Sequence, residues 1–426
     1  MALVSAGLLA LSLAGCATDT AEQSSEGDLT STPQTLKISW LTGESQGLKA
    51  VVAAFETDYP NITVEVSTAD AGPLQASMRT ELAAGTAADV IWAWSASNAG
   101  GIRVLDEADY LVDLSDQSWA SDYQPGVANQ TQSADGRTLI MAPLTMGMGA
   151  IYNQTKLDEL GIEPPETWDD VWAYCDAAVA AGLIPYAIPG GTTYGNTPIL
   201  NTIASQLVYG DPETGETTLQ FNDDFAAGTA TFPDTDSWVQ TFDEFQEFAD
   251  SNCVEDNVTG VDWTEADRLL GSGEALAAIL STNRIGGIKA MDLDSVFELH
   301  AFDSDNNPLT MQNMLSVQGG GAIPASGKNI ELAKFFLQYL ADNARVYWSQ
   351  HDGTAVALQG VLDDVSEPNV EFMQNVLNSG NNTPFLNAYW CPETEAAMMA
   401  GSQAMYTHSM TATEVLESMQ AAEDAC

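Results

Sequence analysis

The sequence predicts an α/β protein built around a mostly parallel sheet. Three observations predict it: alternating apolar strands, helices of 3.6-residue periodicity between them, and β-α-β-α-β order from the first folded residues onward. Leu36–Leu41 reads as the first strand, and Gly43 breaks it. A helix follows with Leu48, Val51, Val52, Phe55 and Tyr59 on one face. Asn61–Val66 alternates as a second strand. A helix through Leu74–Ala84 ends at Gly85, a residue suited to the left-handed C-cap, and Asp89–Ala93 is the third strand. The same grammar continues. Ile151-Tyr152-Asn153 closes an apolar strand before a helix near Leu157, and Thr167 with Asp170 reads as an N-cap after the Pro164-Pro165 turn. Trp168 and Trp172 fall on the apolar face of that helix and are expected in the core. Phe242, Phe245 and Phe248 mark another amphipathic helix, and Ile330, Ala333, Phe336, Leu337 and Leu340 a further one.

At 426 residues the chain is long for one core, and its 45% hydrophobic content supplies two or three. Sixty Asp and Glu stand against twelve Lys and Arg, a formal net charge of −48 spread along the chain. Such a field repels phosphate backbones and anionic ligands, which excludes nucleic acid as a partner and leaves neutral or cationic small molecules. The spread-out acidity and scarce lysine fit a solvated surface and a saline habitat.

Leu13-Ala14-Gly15-Cys16 closes an apolar run from Leu3. That run is shorter than the ~20 residues needed to span a bilayer. It resembles a bacterial lipoprotein signal peptide with its lipobox, which implies a signal peptide over 1–15 and acyl chains on Cys16. No Lys or Arg precedes the run, which places the expected start upstream of Met1. The polar stretch that follows makes 16–35 a flexible tether, typically holding the body ~20–25 Å from the membrane. Cys175, Cys253, Cys391 and Cys426 form an even set in an exported chain, which suggests two disulfides among three connectivities. Nearness in sequence favours Cys175–Cys253 and Cys391–Cys426. His300, His351 and His408 have no metal-ligand spacing, and neither a metal nor another cofactor is expected.

Several stretches in order resemble the extracellular solute-binding proteins of ABC importers, family 1, the family of maltose-binding protein. They are Leu48–Val66 (LKAVVAAFETDYPNITVEV), Glu81–Val90 (ELAAGTAADV), Ala142–Asn153 (APLTMGMGAIYN), Gly161–Val171 (GIEPPETWDDV), Gly271–Ala278 (GSGEALAA) and Gly353–Val361 (GTAVALQGV). Gly-Ile, Pro-Pro and Thr-Trp-Asp in the fourth are the most specific. The resemblance implies a two-lobe periplasmic-binding-protein fold with a hinge and an interlobe ligand cleft. By motif placement, residues 36–144 plus 284–323 form the N-terminal lobe, and 145–283 plus 324–426 the C-terminal lobe. It also implies a monomeric, non-enzymatic receptor that binds a sugar, closes and is read by membrane permease subunits. The same fold binding a polyamine, osmolyte or peptide is the alternative. An exported glycoside hydrolase is the enzymatic rival, but no G-x-S-x-G or HExxH motif supports catalysis.

Sugar sites pair aromatic platforms with polar side chains, and residues just past strand C-termini line the crevice of an open α/β sheet. That rule selects Trp40, Thr42 and Glu44 after the first strand and Trp92, Trp94 and Ser95 after the third. The resemblance places a cleft acid at Glu44. Tyr194 and Asn196 in the glycine-rich loop Gly190–Gly195, Trp263, Asn283-Arg284 at a hinge and Trp390 beside Tyr389 complete the candidate set.

Overall fold

The computed structural model describes residues 29–95, 100–292, 294–302, 305–307, 313–351 and 354–426. Cys16, the signal peptide and most of the tether lie outside the described residues.

Strands β1 (Gln34–Leu41), β2 (Ile62–Ala69) and β3 (Val90–Trp94) are joined by the helices Ser45–Asp58 and Ala71–Ala84. Both crossovers return the chain in the same direction, so β1 pairs in parallel with β2 and β3. Gly85 caps the second helix at φ 65°, a conformation its missing Cβ makes inexpensive. The chain then leaves this lobe through Pro143 into β4 (Leu144–Asn153), a ten-residue strand that organises a second sheet. In chain order, that sheet adds β5 (Ile184–Ala187), β6 (Ala275–Ser281), β7 (Phe297–His300) and β8 (Asn313–Val317). After Gln318 the chain re-enters the first sheet as β9 (Gly319–Ala322), antiparallel to β3. It finally returns to the second sheet as β10 (Ala355–Val356) and β11 (Asn382–Thr383). The sheet orders are β2-β1-β3-β9 and β11-β8-β4-β6-β5, with β7 and β10 also on β4.

This topology corrects the lobe boundaries expected from motif placement. Residues 285–317 belong to the second lobe: β7 and β8 hydrogen-bond to β4, and the helix Ile285–Lys289 packs on the helix Trp263–Gly271. The helices Ile330–Asp342 and Ala344–Trp348 belong to the first lobe, where Phe336 meets Phe55 edge to face at 5.2 Å. The physical reason is apolar burial. Phe336, Leu337 and Leu340 are fully buried, and the helix Ser45–Asp58 presents the matching stripe Leu48, Val51 and Phe55.

The second sheet is covered on both faces, so its alternation separates two cores. Tyr152, Leu276 and Ile279 face the core built with Tyr186, Phe242 and Phe248, whereas Ile151, Ala278 and Leu280 face the core that continues toward the first lobe. Thr167 caps the helix Trp168–Ala180 by accepting from the Asp170 N–H. Trp168 and Trp172 pack edge to face at 4.9 Å. Cys175 is bonded to Cys253 and Cys391 to Cys426.

Phe336→Ala is expected to cost about 3–5 kcal/mol, because its pocket is closed on all sides. In hydrogen-exchange mass spectrometry the loss of protection appears in β1 and the helix Ser45–Asp58, with β6 unchanged. Selective loss of protection in β6 instead contradicts the lobe assignment.

Candidate functional site

Three chain segments cross between the lobes, at Pro143, Gln318 and Thr354, and above them lies an open cleft of about 300 Å³. The first lobe contributes Trp94 from the end of β3 and Gly72 and Gln75 from the helix that follows β2. Met146, Met148, Ser281, Asn283 and Gln318 form the floor. The second lobe supplies Tyr194, Pro198, Trp263, Phe385, Asn387 and Glu395. Two helices start at the cleft, at Ala71 and Thr197, and neither has a side-chain cap. Their first-turn N–H groups are therefore potential donors to a bound oxygen.

The apolar component is concentrated. Met146, Met148 and Met314 form a small cluster of their own against Phe385, and thioethers mould readily to an irregular ligand face. Trp263 begins its helix under the Asp262 N-cap, and the Arg284 guanidinium lies 5.1 Å over its ring. Glu395 is the one charged residue among those lining the cleft. Burial raises its pKa, against the hydrogen bond it accepts from the Asn387 amide at 2.6 Å.

Beneath the cleft is a smaller recess lined by Glu44, Trp92, Pro143, Leu144, Thr145, Met146, Asn283, Gln318, Gly319 and Thr354. Glu44 is only 6% exposed. Burial pushes its carboxyl up to about 7, although a hydrogen bond with Tyr347 lowers it. The Tyr347 hydroxyl lies 2.9 Å from the Glu44 carbonyl and 3.2 Å from its Oε2, and His351 Nε2 lies 3.7 Å from the same carboxylate oxygen. Outside the cleft lining, Arg103, from the first-lobe helix Ile102–Glu107, lies 4.7 Å over the ring of Tyr389 in the second lobe, and both line a separate small pocket.

Among the sequence candidates, Trp94, Tyr194, Trp263 and Asn283 line the cleft, and Glu44, Trp92 and Asn283 line the recess. The others are corrected. Trp40 is a core residue, fully buried with Nε1 donating to Tyr347 at 3.2 Å. Asn196 is fully buried, donating to Ser402 and accepting from Tyr406. Trp390 packs between Phe232 and Trp238 at 5.1 and 5.4 Å. Arg284 is committed to Asp267 in a partly buried ion pair. Thr42 is exposed on the short turn Thr42–Glu44 and lines neither cavity. The Ser95 hydroxyl donates to the Val317 carbonyl, and the residue faces a separate small pocket with Arg103 and Tyr389. Sequence reasoning missed Met146, Met148, Gln318, Phe385, Asn387 and Glu395. The alternation of methionine and glycine in Met146-Gly147-Met148-Gly149 was the available signal: the glycines admit close neighbours on one strand face, where a Cβ on Gly149 would stand 2.3 Å from the His300 carbonyl oxygen, and leave both methionines on the other.

Two α/β lobes joined by three crossings over a polar-floored, aromatic-walled cleft define a hinged solute receptor of the periplasmic binding-protein class. The model of the bacterial extracellular solute-binding protein family matches residues 39–345, and the chain belongs to that family. A multiple sugar-binding protein of Streptococcus mutans is 24% identical over 91% of this chain and 89% of its own length. A sugar transporter from Bacillus licheniformis, solved with stachyose, superposes with a TM-score of 0.73 at 14% identity, covering 92% of this chain and 100% of that one. The binding protein RafE, solved with raffinose, gives a TM-score of 0.73 at 17% identity over 92% and 99% of the two chains. No helix among the described residues is long and apolar enough to cross a membrane.

The buried carboxyl gives a pH signature. Folded Glu44 holds its proton up to about pH 7, whereas in the unfolded chain it releases it near the ordinary glutamate value of 4.5. Between those values the unfolded state binds fewer protons, so this group's contribution to stability falls as pH rises and levels off above 7. Glu44→Gln lacks this slope. Between pH 5 and pH 8 the stability of the variant should gain on wild type by up to about 3 kcal/mol, read by thermal denaturation. Glu244 and Glu255 are also raised to about 7 by burial, so the comparison is between the two proteins at each pH and not along one curve. A constant difference in Tm would show that Glu44 ionises normally.

Proposed function

We propose that the protein is the capture receptor of an ABC importer, that its ligand is a neutral oligosaccharide held between the lobes, and that acyl chains on Cys16 tether it to the membrane beside its permease. The observation that carries the ligand class is the composition of the cleft wall. Indoles at Trp94 and Trp263 stand over a floor of methionine, asparagine, glutamine and serine, with no lysine or arginine among the lining residues. Sugars offer apolar C–H faces to aromatic rings and hydroxyl edges to neutral amides, and this wall provides both. An anion would find Glu395 and an overall charge of −48 against it. Relatives support the same class, since both solved complexes hold neutral oligosaccharides. A Bacillus subtilis melibiose/raffinose/stachyose-binding protein is also 28% identical over 38% of the chain.

No bond is made or broken in this mechanism. A ligand in the cleft touches Trp94 and Gln75 on one lobe and Trp263, Phe385 and Asn387 on the other. Its full contact energy is available only when the lobes close, so binding shifts the hinge equilibrium toward the closed form that a permease would read. The lipobox motif Leu13-Ala14-Gly15-Cys16 supports the tether.

A thermal-shift screen over raffinose, stachyose, shorter saccharides, polyamines and betaines tests the ligand class. Saccharide at 100 times its Kd should stabilise the protein by about 2.7 kcal/mol. A hit confined to polyamines or betaines overturns the carbohydrate reading. For a saccharide that binds, Trp94→Ala should weaken affinity at least tenfold with an unchanged circular dichroism spectrum. Unchanged affinity removes Trp94 from the site.

A further inference from the structure

Met146 and Met148 stand two residues apart on β4, so both side chains leave the same face of the strand, and both line the cleft. Their glycine neighbours hold them there. A Cβ on Gly147 would stand 3.2 Å from Leu315 Cδ2 and from Thr282 Cγ2, and Gly149 is tighter still, so the strand cannot slip by one residue and turn the thioethers inward. Met148 is paired directly across the antiparallel ladder with Met314, which is 1% exposed and does not line the cleft. The cleft pair keeps 7% and 8% exposure, and the cleft it faces is an open space of about 300 Å³. Methionines elsewhere fall on either side of this condition. Met141, Met373 and Met399 are fully buried in the cores, whereas Met291 is 51% exposed on the surface. Thioether oxidation follows access, so the cleft pair is reachable by a small oxidant where the core methionines are not.

We propose that Met146 and Met148 form a reversible oxidation site, at which hydrogen peroxide converts the thioethers to sulfoxides and lowers the receptor's affinity for its ligand. A sulfur lone pair attacks one peroxide oxygen, and the S–O bond forms as the O–O bond breaks. Sulfur is oxidised by two electrons, and the other oxygen leaves as water with both peroxide protons. Methionine sulfoxide reductases reverse the step. The affinity half of this inference rests on the carbohydrate reading of the cleft, and the modification half does not.

Oxidation changes what the floor offers. A thioether is soft and apolar and moulds to a C–H face, whereas a sulfoxide is polar and a strong acceptor. The side chains of Met146, Met148, Met314 and Phe385 have no donor among them to meet that acceptor. A buried acceptor left unpaired is costly, so the new oxygen turns to the water of the cleft and takes up ligand space. The coupling runs both ways. A saccharide lying on the floor covers both sulfurs, so a bound ligand protects the site and an oxidised site rejects the ligand.

The test is a timed exposure of the protein to hydrogen peroxide, with and without raffinose or stachyose, followed by peptide mapping in a mass spectrometer. Met291 should be oxidised first and equally in both samples. Met146 and Met148 should follow, slowed at least fivefold by a saccharide that binds, with Met141 and Met399 unmodified. In calorimetry the oxidised protein should bind at least tenfold more weakly, with a native circular dichroism spectrum, and sulfoxide reductase should restore it. The double variant Met146→Leu/Met148→Leu, whatever its starting affinity, should keep that affinity within twofold through the same treatment. Met146 and Met148 left unmodified once Met291 is fully converted overturn the site. So does an oxidised pair with affinity within twofold of the untreated protein, or a loss in the double variant as large as in wild type. Should the double variant fail to fold, the reductase decides: sulfoxides removed without recovery of binding overturn the inference. If wild type binds neither sugar, the carbohydrate reading falls and the affinity claim with it, whereas the order of oxidation still supports or overturns the modification.

Discussion

The hydroxyl of Tyr347 ties together parts of the chain that are 303 and 307 residues away in sequence. It accepts from Trp40 Nε1 at the end of β1 and donates to Glu44 just beyond, so the exit of the first strand is pinned to the last first-lobe helix. The helix carrying Tyr347 directly precedes the third interlobe crossing at Thr354. One fully buried phenol therefore fixes both the edge of the first lobe and the position of a carboxyl in the cleft floor. Its surroundings leave little freedom: a Cβ on Gly47 would fall 2.8 Å from the Tyr347 ring and 2.7 Å from His351. Close packing here makes the floor stiff, and a stiff floor allows small differences in ligand shape to be felt at the hinge.

The scarcity of positive charge shapes what the cleft can bind. Arg137, Arg268, Lys289, Lys334 and Arg345 are each paired with a carboxylate outside the cleft. Arg284, at the cleft's edge, is held by Asp267 and laid over Trp263. A protein with so few cations that spends them on its own surface leaves a cleft without fixed positive charge. Neutral amides, hydroxyls and helix N-termini are then the uncharged polar groups that the cleft presents. This is a physical reason for a neutral ligand that is independent of any relative.

The elements were legible from sequence because their signals are local. The 3.6-residue stripe of Leu48, Val51 and Phe55, the Gly85 cap and the Thr167 cap all appear where the pattern puts them. Assignment of elements to lobes was not legible, because it depends on which sheet a strand joins after a crossing. Gly319-Gly320-Gly321 is a strand of the first sheet, at a lobe crossing. A Cβ on Gly320 would stand 2.1 Å from the Met141 carbonyl, so only glycine fits where two crossing segments touch. The site was half legible for a related reason. The strand-end rule finds Trp92, Trp94 and Glu44, but every residue of β3 is buried, and no alternation separates cleft from core. Trp40, Asn196 and Trp390 have the right chemistry for a sugar site, but their partners come from 206 or more positions away or from core rings that local sequence does not reveal.

Closure of the lobes is a balance that contacts already present begin to set. Arg103 over Tyr389 spans the two lobes, and a partly desolvated cation–π contact of this kind is worth on the order of 0.5–2 kcal/mol. That is too little to hold the closed form by itself, since moving a two-state equilibrium from 1:99 to 99:1 takes about 5.5 kcal/mol. It is enough to bring the closed form within reach of a ligand's differential affinity. The Arg103 contact links side chains of the two lobes, whereas the recess takes Pro143, Gln318 and Thr354 from the crossings themselves. A ligand that bridges Trp94 and Trp263 would gain its full contact only on closure. Selectivity and closure then draw on the same few side chains, so a solute that meets one wall of the cleft and misses the other would bind with little drive toward the closed form.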